Sequence, residues 1–302
     1  MVVFLLAFLG RAESKAGELT AVLLPVADTG LYEVAPTNNL GRSLAVPAGV
    51  HSGMKRSRYL VRFDPAGTLP PGVVLTSVVL SVHIAVAGSP AHDYGVHQML
   101  RDWVEGNKEG NNGSSATAGE TTWLAQYHPD TTWTTPGGAA GVDYAWPPSV
   151  AGPMGDTGST NYFSSPDLAA DVQLWLDNPE LNFGWMIRAV DETTSQTVRR
   201  IASRETAGNG PILIVHYLPP DADRDGVLDA DDQCPGTAPG ALVNADGCSL
   251  EQLAPCAGPW VNHGQYVAAM AAATAEFVRA GLLTSPQRAE ILRAAAQSNC
   301  GR

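Results

Sequence analysis

The stretch from Asp221 to Asp232 reads Asp-Ala-Asp-Arg-Asp-Gly-Val-Leu-Asp-Ala-Asp-Asp, and these residue types at this spacing suit the capture of a hard cation. Counting Asp221 as position 1, the ligand positions 1, 3, 5, 9 and 12 all carry carboxylates, with Gly226 at position 6. Ca²⁺ takes about six to eight oxygens near 2.4 Å, so a chain that holds it must wrap and aim alternate side chains inward. Gly at position 6 permits the sharp turn, and the backbone carbonyl at position 7 belongs to Val227. The candidate ligands are therefore Asp221, Asp223, Asp225, the Val227 carbonyl, Asp229 and Asp232. Asp232 stands where helix-flanked calcium loops carry Glu, and its shorter reach suits a loop not flanked by two helices. Six acids and one Arg give these 12 residues a charge of −5, which repels itself without a cation. The competing reading is a solvated acidic linker; regular spacing plus the Gly favours calcium.

The loop supplies nearly half of the charge of the whole chain. The 302 residues carry 18 Lys+Arg against 30 Asp+Glu, for a formal net charge of −12. That balance excludes a nucleic-acid partner, because phosphate binding needs a basic footprint. Signatures of catalysis are missing too. The histidines at 51, 83, 92, 97, 128, 216 and 263 form no His-Glu-x-x-His pair. Neither a Gly-x-Ser-x-Gly elbow nor a Walker loop occurs. The chain reads as a non-enzyme.

The cysteines and the start of the chain speak to compartment. Cys234, Cys248, Cys256 and Cys300 all fall in the final 69 residues. An even number at close spacing points to disulfides, which persist in oxidising compartments. A zinc site built from the four is disfavoured, because no Cys-x-x-Cys pair exists. Val2 to Leu9 is an unbroken apolar run followed by Gly10-Arg11-Ala12. The run is far short of the about 20 residues a bilayer span needs, and it fits the h-region of a secretory signal. Residues 1–16 are read as that signal, with a buried strand as the alternative, since no basic residue precedes the run. With no later segment long and apolar enough to be a membrane span, a secreted or cell-surface protein is expected.

The elements that must carry these groups are mostly strands. Glu18 to Pro25, Val73 to Val86, Phe183 to Val190 and Ile212 to Tyr217 are rich in Val, Leu and Ile. In Arg58 to Asp64, Tyr59, Val61 and Phe63 share one face while Arg58 and Arg62 share the other, which is strand period. Turn signals such as Pro70-Pro71-Gly72 and Pro136-Gly137-Gly138 separate them, and many short strands with Gly/Pro turns indicate an all-β sandwich. One helix is expected where Leu168, Val172, Trp175 and Leu176 recur at helical spacing, behind a Ser164-Ser165 cap and Pro166. Leu218-Pro219-Pro220 marks a boundary before the acidic loop.

The order of landmarks along residues 17–220 resembles the bacterial DNRLRE-type domain. The matching pieces are Asp28-Thr29, Asn38-Asn-Leu-Gly41, Arg58 to Asp64, Leu69 to Gly72 and Trp103-Val-Glu-Gly106. Thr122-Trp123, Trp133, Pro136-Gly-Gly138, Leu168 to Trp175, Asn182-Phe-Gly184, Ser203-Arg-Glu205 and Pro211 to Tyr217 follow in order. The resemblance implies a jelly-roll β-sandwich without catalytic activity. Some relatives are appended to polysaccharide lyases and bind acidic polysaccharides such as alginate. On that expectation Lys55, Arg56 and Arg58 are candidates to pair with uronate carboxylates. Trp123 and Trp133, which like Trp146 lie in or beside loops, are candidates to stack on sugar rings. The plainer reading makes the arginines scaffold ion pairs, to Asp64, Asp171 or Glu205, and the tryptophans core.

Downstream of the loop, Asp232-Gln-Cys-Pro235, Gly236 to Gly240, Val243 and Asp246-Gly-Cys248 resemble the thrombospondin type 3 repeat in its bacterial form, over residues 221–250. That resemblance implies the same ligand set, with Asp229 bound directly or through water, and a Cys234–Cys248 disulfide. One departure is that a single repeat stands here, without neighbours to complete its shell. Residues 251–302 then read as a helical hairpin. Val267, Met270, Thr274, Phe277 and Val278 share a face ending at Gly281, and Thr284-Ser285-Pro286 caps a second helix carrying Ile291, Leu292 and Ala295. Cys256 and Cys300 would meet at the open end of the hairpin, so pairing 234–248 with 256–300 is favoured among three connectivities. The expectation is thus a mainly β chain: a jelly-roll β-sandwich, a calcium-binding loop segment and a small disulfide-stapled α-helical hairpin. Its expected partner is an acidic polysaccharide or another cell-surface component.

Overall fold

The computed structural model describes residues 17–88, 91–238 and 240–302; the expected signal, residues 1–16, lies outside the described residues. The chain divides after Leu218 into two compact units, at the Pro219-Pro220 signal. Strands of the first unit are β1 (Leu19–Leu23), β2 (Ala27–Tyr32), β3 (Asn38–Asn39), β4 (Ala45–Val50), β5 (Arg56–Arg62), β6 (Val74–Ala87), β7 (His92–Gln98) and β8 (Ser114–Ser115). They continue with β9 (Ala125–Tyr127), β10 (Thr131–Thr132), β11 (Val150–Met154), β12 (Thr160–Phe163), β13 (Trp185–Ala189), β14 (Arg199–Ala202) and β15 (Ile212–Leu218). Eleven of these strands join one sheet in the order β1-β15-β6-β14-β4-β5-β13-β7-β11, with β12 added to β6 and β2 to β5. Every pairing in it is antiparallel.

The long β6 explains how the sheet curls. It runs 14 residues and changes partners along its length: β15 from Val74 to Ser81, β12 from Leu80 to His83, and β14 from Ile84 to Ala87. Strand twist accumulates over such a length, so neighbours at its two ends point in different directions and the sheet closes over its apolar face. Tyr59, Val61 and Phe63 of the β5 segment meet Val82, Ile84 and Trp185 in the main core. Leu60, on the other face, is buried as well, in a second cluster with Leu31, Trp103, Trp123, Trp133, Tyr144 and Met186. Side chains alternate along β5 with period two, but both faces of β5 are covered, because the segment 99–149 folds over the side that carries Arg58.

The expected helix forms as α1 (Pro166–Asp177), with Ser165 Oγ accepting from Leu168 N–H at 2.9 Å and Leu168, Val172 and Trp175 buried. In the second unit come α2 (Leu250–Leu253), α3 (His263–Arg279) and α4 (Ser285–Gln297). Asn262 caps α3, and Thr284 and Gln287 form a capping box on α4. The chain leaves α3 through Gly281 at φ +74°, a left-handed position that suits Gly. Helices α3 and α4 pack around Tyr266, Met270 and Ala295, with Ile291 and Leu292 at the margin. Disulfides join Cys234 to Cys248 and Cys256 to Cys300, so both expected pairs form. Two disulfides in one small unit suit an oxidising environment. No helix among the described residues is long and apolar enough to cross a membrane.

Candidate metal centre

Asp221, Asp223 and Asp225 converge as the spacing predicts: one oxygen of each lies within 4.8 Å of the others. Local hydrogen bonds fold the loop. Asp221 accepts from the N–H groups of Arg224 (2.8 Å) and Gly226 (3.1 Å), and Asp225 accepts from Val227 N–H (2.8 Å). Gly226 sits at φ +97°, the left-handed turn for which position 6 calls. Asp223 Oδ2 accepts from Gly236 and Thr237 N–H, each at 2.7 Å, and the Thr237 bond is the first cause of a carboxyl held below its usual range. Asp223 Oδ2 is filled by its two bonds, but Asp223 Oδ1, both Asp221 oxygens and Asp225 Oδ1 each accept one and keep a lone pair, so the turns shape the loop without exhausting its donor set.

Two further observations fit a cation. Asp225 Oδ2 is buried with no hydrogen-bond partner, which is costly for a carboxylate oxygen. Gly247 leaves room for it: a Cβ there would lie 3.3 Å from Asp225 Oδ2 and 2.1 Å from Asp232 Oδ1, so the glycine lets both carboxylates approach. Asp232 therefore faces the Asp225 side, while its Oδ1 also accepts from Cys234 N–H at 2.7 Å. Asp229 is exposed and its Oδ1 accepts from Ala222 N–H at 2.7 Å. The Asp229 and Asp232 carboxylates stand outside the Asp221–Asp223–Asp225 group. The Cys234–Cys248 disulfide spans 14 residues and pins the segment that supplies the Gly236 and Thr237 donors. This group could hold a metal ion.

The residues expected to touch a glycan are placed differently. Trp123 is 2% and Trp133 3% exposed, in the second cluster of the β unit, so neither ring offers a face to a sugar. The Trp133 indole N–H donates to the Thr122 carbonyl at 2.9 Å. Arg58 is buried; it pairs with Glu192 at 2.9 and 2.7 Å and donates to the Gly137 and Gly138 carbonyls. Arg56 pairs with Glu33 at 2.9 Å, and Lys55 lies 3.6 Å from the same carboxylate. Arg56 and Arg58 lie over the Trp123 ring at 5.1 and 5.4 Å. The scaffold reading fits these arginines and tryptophans, with other partners than expected. Glu192 and Glu33 replace Asp64, Asp171 and Glu205, and Arg62 pairs with Asp102 at 2.8 Å. Asp171 accepts instead from the Ser149 hydroxyl and the Trp185 indole.

Among the three loop tryptophans, Trp146 alone is exposed, at 58%. Its ring stacks on His97 at 5.5 Å with an interplanar angle of 15°. A second group of acids also converges, Asp28, Glu105 and Glu205, again within 4.8 Å. Burial pushes the Asp28 carboxyl up to about 7. No spacing in the sequence singles these three out, because 77 residues separate Asp28 from Glu105 and Glu205 lies far downstream. No protein-family model matches the chain, and no curated protein matches it.

Proposed function

We propose that this is an exported, non-catalytic protein of a DNRLRE-type jelly-roll module followed by a thrombospondin type 3-like segment, in which Ca²⁺ and two disulfides organise the C-terminal unit. The observation that carries it is the convergence of Asp221, Asp223 and Asp225 beside the partnerless Asp225 Oδ2, in a loop whose spacing is that of calcium loops. Calcium is favoured over transition metals because the donors are all hard oxygens, without a His or Cys thiolate among them. Its role there is structural and adhesive: a divalent cation cancels two of the five negative charges and fixes a segment with few apolar residues of its own.

The test uses Arg224, an exposed tryptic site inside the loop. In chelator, trypsin is expected to cut after Arg224 rapidly; with calcium present the loop should resist, and Asp223→Asn should abolish that protection. Equal cleavage with and without calcium would sink the reading.

Binding of an acidic polysaccharide is the second reading, supported by the family resemblance and by one exposed aromatic. Trp146 presents its outer face while His97 backs it, with the Arg188 guanidinium 5.9 Å from the ring. Affinity electrophoresis against alginate and pectin, with Trp146→Ala as control, decides it. No retardation of the wild type, or equal retardation of the variant, removes this reading.

A further inference from the structure

Asp28 sits on β2, fully buried. Its Oδ2 accepts from the Tyr59 hydroxyl and from Arg204 N–H, both at 2.7 Å, while its Oδ1 is buried with no hydrogen-bond partner. Glu105 lies beside it: Oε1 accepts from Asp28 N–H at 2.8 Å, and Arg204 Nη1 reaches both Glu105 oxygens at 3.0 and 3.1 Å. Glu205 Oε1 stands 3.6 Å from the same Arg204 nitrogen, and Glu205 Oε2 is the second buried oxygen without a partner. One guanidinium thus serves two carboxylates, a backbone N–H and a phenol serve the third, and two oxygens are left unserved. Ionised, the four side chains carry a net charge of −2.

We infer that Asp28, Glu105 and Glu205 form a second site for a hard divalent cation, inside the β unit and independent of the Asp221–Asp232 loop. Three observations converge on it. The donor oxygens lie within 4.8 Å of one another, and opposite ligands around an ion with bonds of about 2.4 Å are about 4.8 Å apart. The oxygens that Arg204 does not reach, Asp28 Oδ1 and Glu205 Oε2, are both buried, where an unserved carboxylate oxygen is costly. A divalent ion would also cancel the excess charge that a single Arg cannot. Glu205 opens on a cleft lined by Arg42, Leu44, Glu109 and Asn111, which gives an ion a way in. The ligands come from β2, from the chain after Trp103 and from the turn after β14, so an ion there would tie three distant segments together.

The experiment is calorimetric titration of the full chain with CaCl₂. The wild type is expected to take up two ions, one in the loop and one here. With the loop silenced by Asp221→Asn, Asp223→Asn and Asp225→Asn, one ion should remain, with a Kd of about 1 mM or tighter, the weak limit of oxygen-ligand calcium sites. Adding Glu205→Gln should weaken that remaining ion at least about tenfold, since losing even a group that only orients a ligand costs about 10–100-fold. Glu105→Gln gives the same reading should Glu205→Gln fail to fold. A loop-silenced chain that binds no calcium up to about 10 mM, well beyond the weakest such sites, overturns the inference. Unchanged binding in both Gln variants overturns it equally. Failure of the loop proposal is separate: the wild type would then bind one ion, and silencing the loop would not remove it.

Discussion

Glu192 serves two guanidiniums at once, Arg58 at 2.7 Å and Arg188 at 2.8 Å, and all three side chains are largely shielded from water. Removing it strands two cations in a poorly solvated setting, so Glu192→Ala is expected to cost about 3–5 kcal/mol in urea unfolding. A loss below about 1 kcal/mol, the level of an exposed pair, would show that water reaches the cluster. His97 makes a second prediction at this scale. Burial lowers its pKa from 6.5 to about 4, and its Nδ1 faces the Ala145 carbonyl at 3.0 Å, so the buried neutral ring donates there. The unfolded chain takes a proton below about pH 6.5 that the folded ring refuses, so stability is full above that pH and falls toward pH 4. Its share of the loss should reach about 2 kcal/mol by pH 5 relative to pH 7.5. His97→Gln keeps a donor for Ala145 and should flatten this part of the pH profile; an equally steep profile would assign the loss to other groups.

At the scale of elements, what could be read in advance is what is local. Ser165-Pro166 and Thr284-Ser285-Pro286 announced helix starts, because a cap bonds to an N–H three residues away. The acidic loop was legible for the same reason: its three convergent carboxylates lie within five residues. Strands β2 and β14 were not, because Asp28, Thr29 and Arg199 are polar residues buried by the fold, and nothing in their neighbours says so. The same non-locality hid Glu192 as the partner of Arg58, 134 residues away. The covering of Trp123 and Trp133 was open for a related reason, since a loop aromatic and a core aromatic look alike in sequence. The helical hairpin yields the prediction of this scale. Cys256–Cys300 closes a segment of 44 residues, for which loop entropy gives about 4 kcal/mol. Replacing both cysteines by Ser should erase amide protection in α3 and α4 while leaving β5 and β6 protected. Protection retained in the helices would mean that the core around Tyr266 and Met270 suffices alone.

For the whole molecule, charge and division bear on each other. Of the net −12, the loop holds −5, so the acidic excess is concentrated in a short segment just after the boundary at Leu218. The first unit has its own core, built on residues from Leu23 to Tyr217, and the hairpin has another, around Tyr266 and Ala295. A chain ended at Leu218 is therefore expected to fold. It keeps every strand of the large sheet and both apolar clusters of that unit. Calcium should then act on this shortened chain as it acts on the whole, if Asp28, Glu105 and Glu205 hold an ion. Ligand linkage gives about 2.7 kcal/mol of added stability at a hundredfold excess over Kd, which for a domain near 200 residues is a rise of about 5–10 °C in melting temperature. In the shortened chain the loop is gone, so any such rise belongs to the β unit, and Glu205→Gln should remove it. A folded shortened chain whose melting ignores calcium would confine the metal chemistry to the acidic loop, and the carboxylates of Asp28, Glu105 and Glu205 would then share their charge with Arg204 and a proton alone.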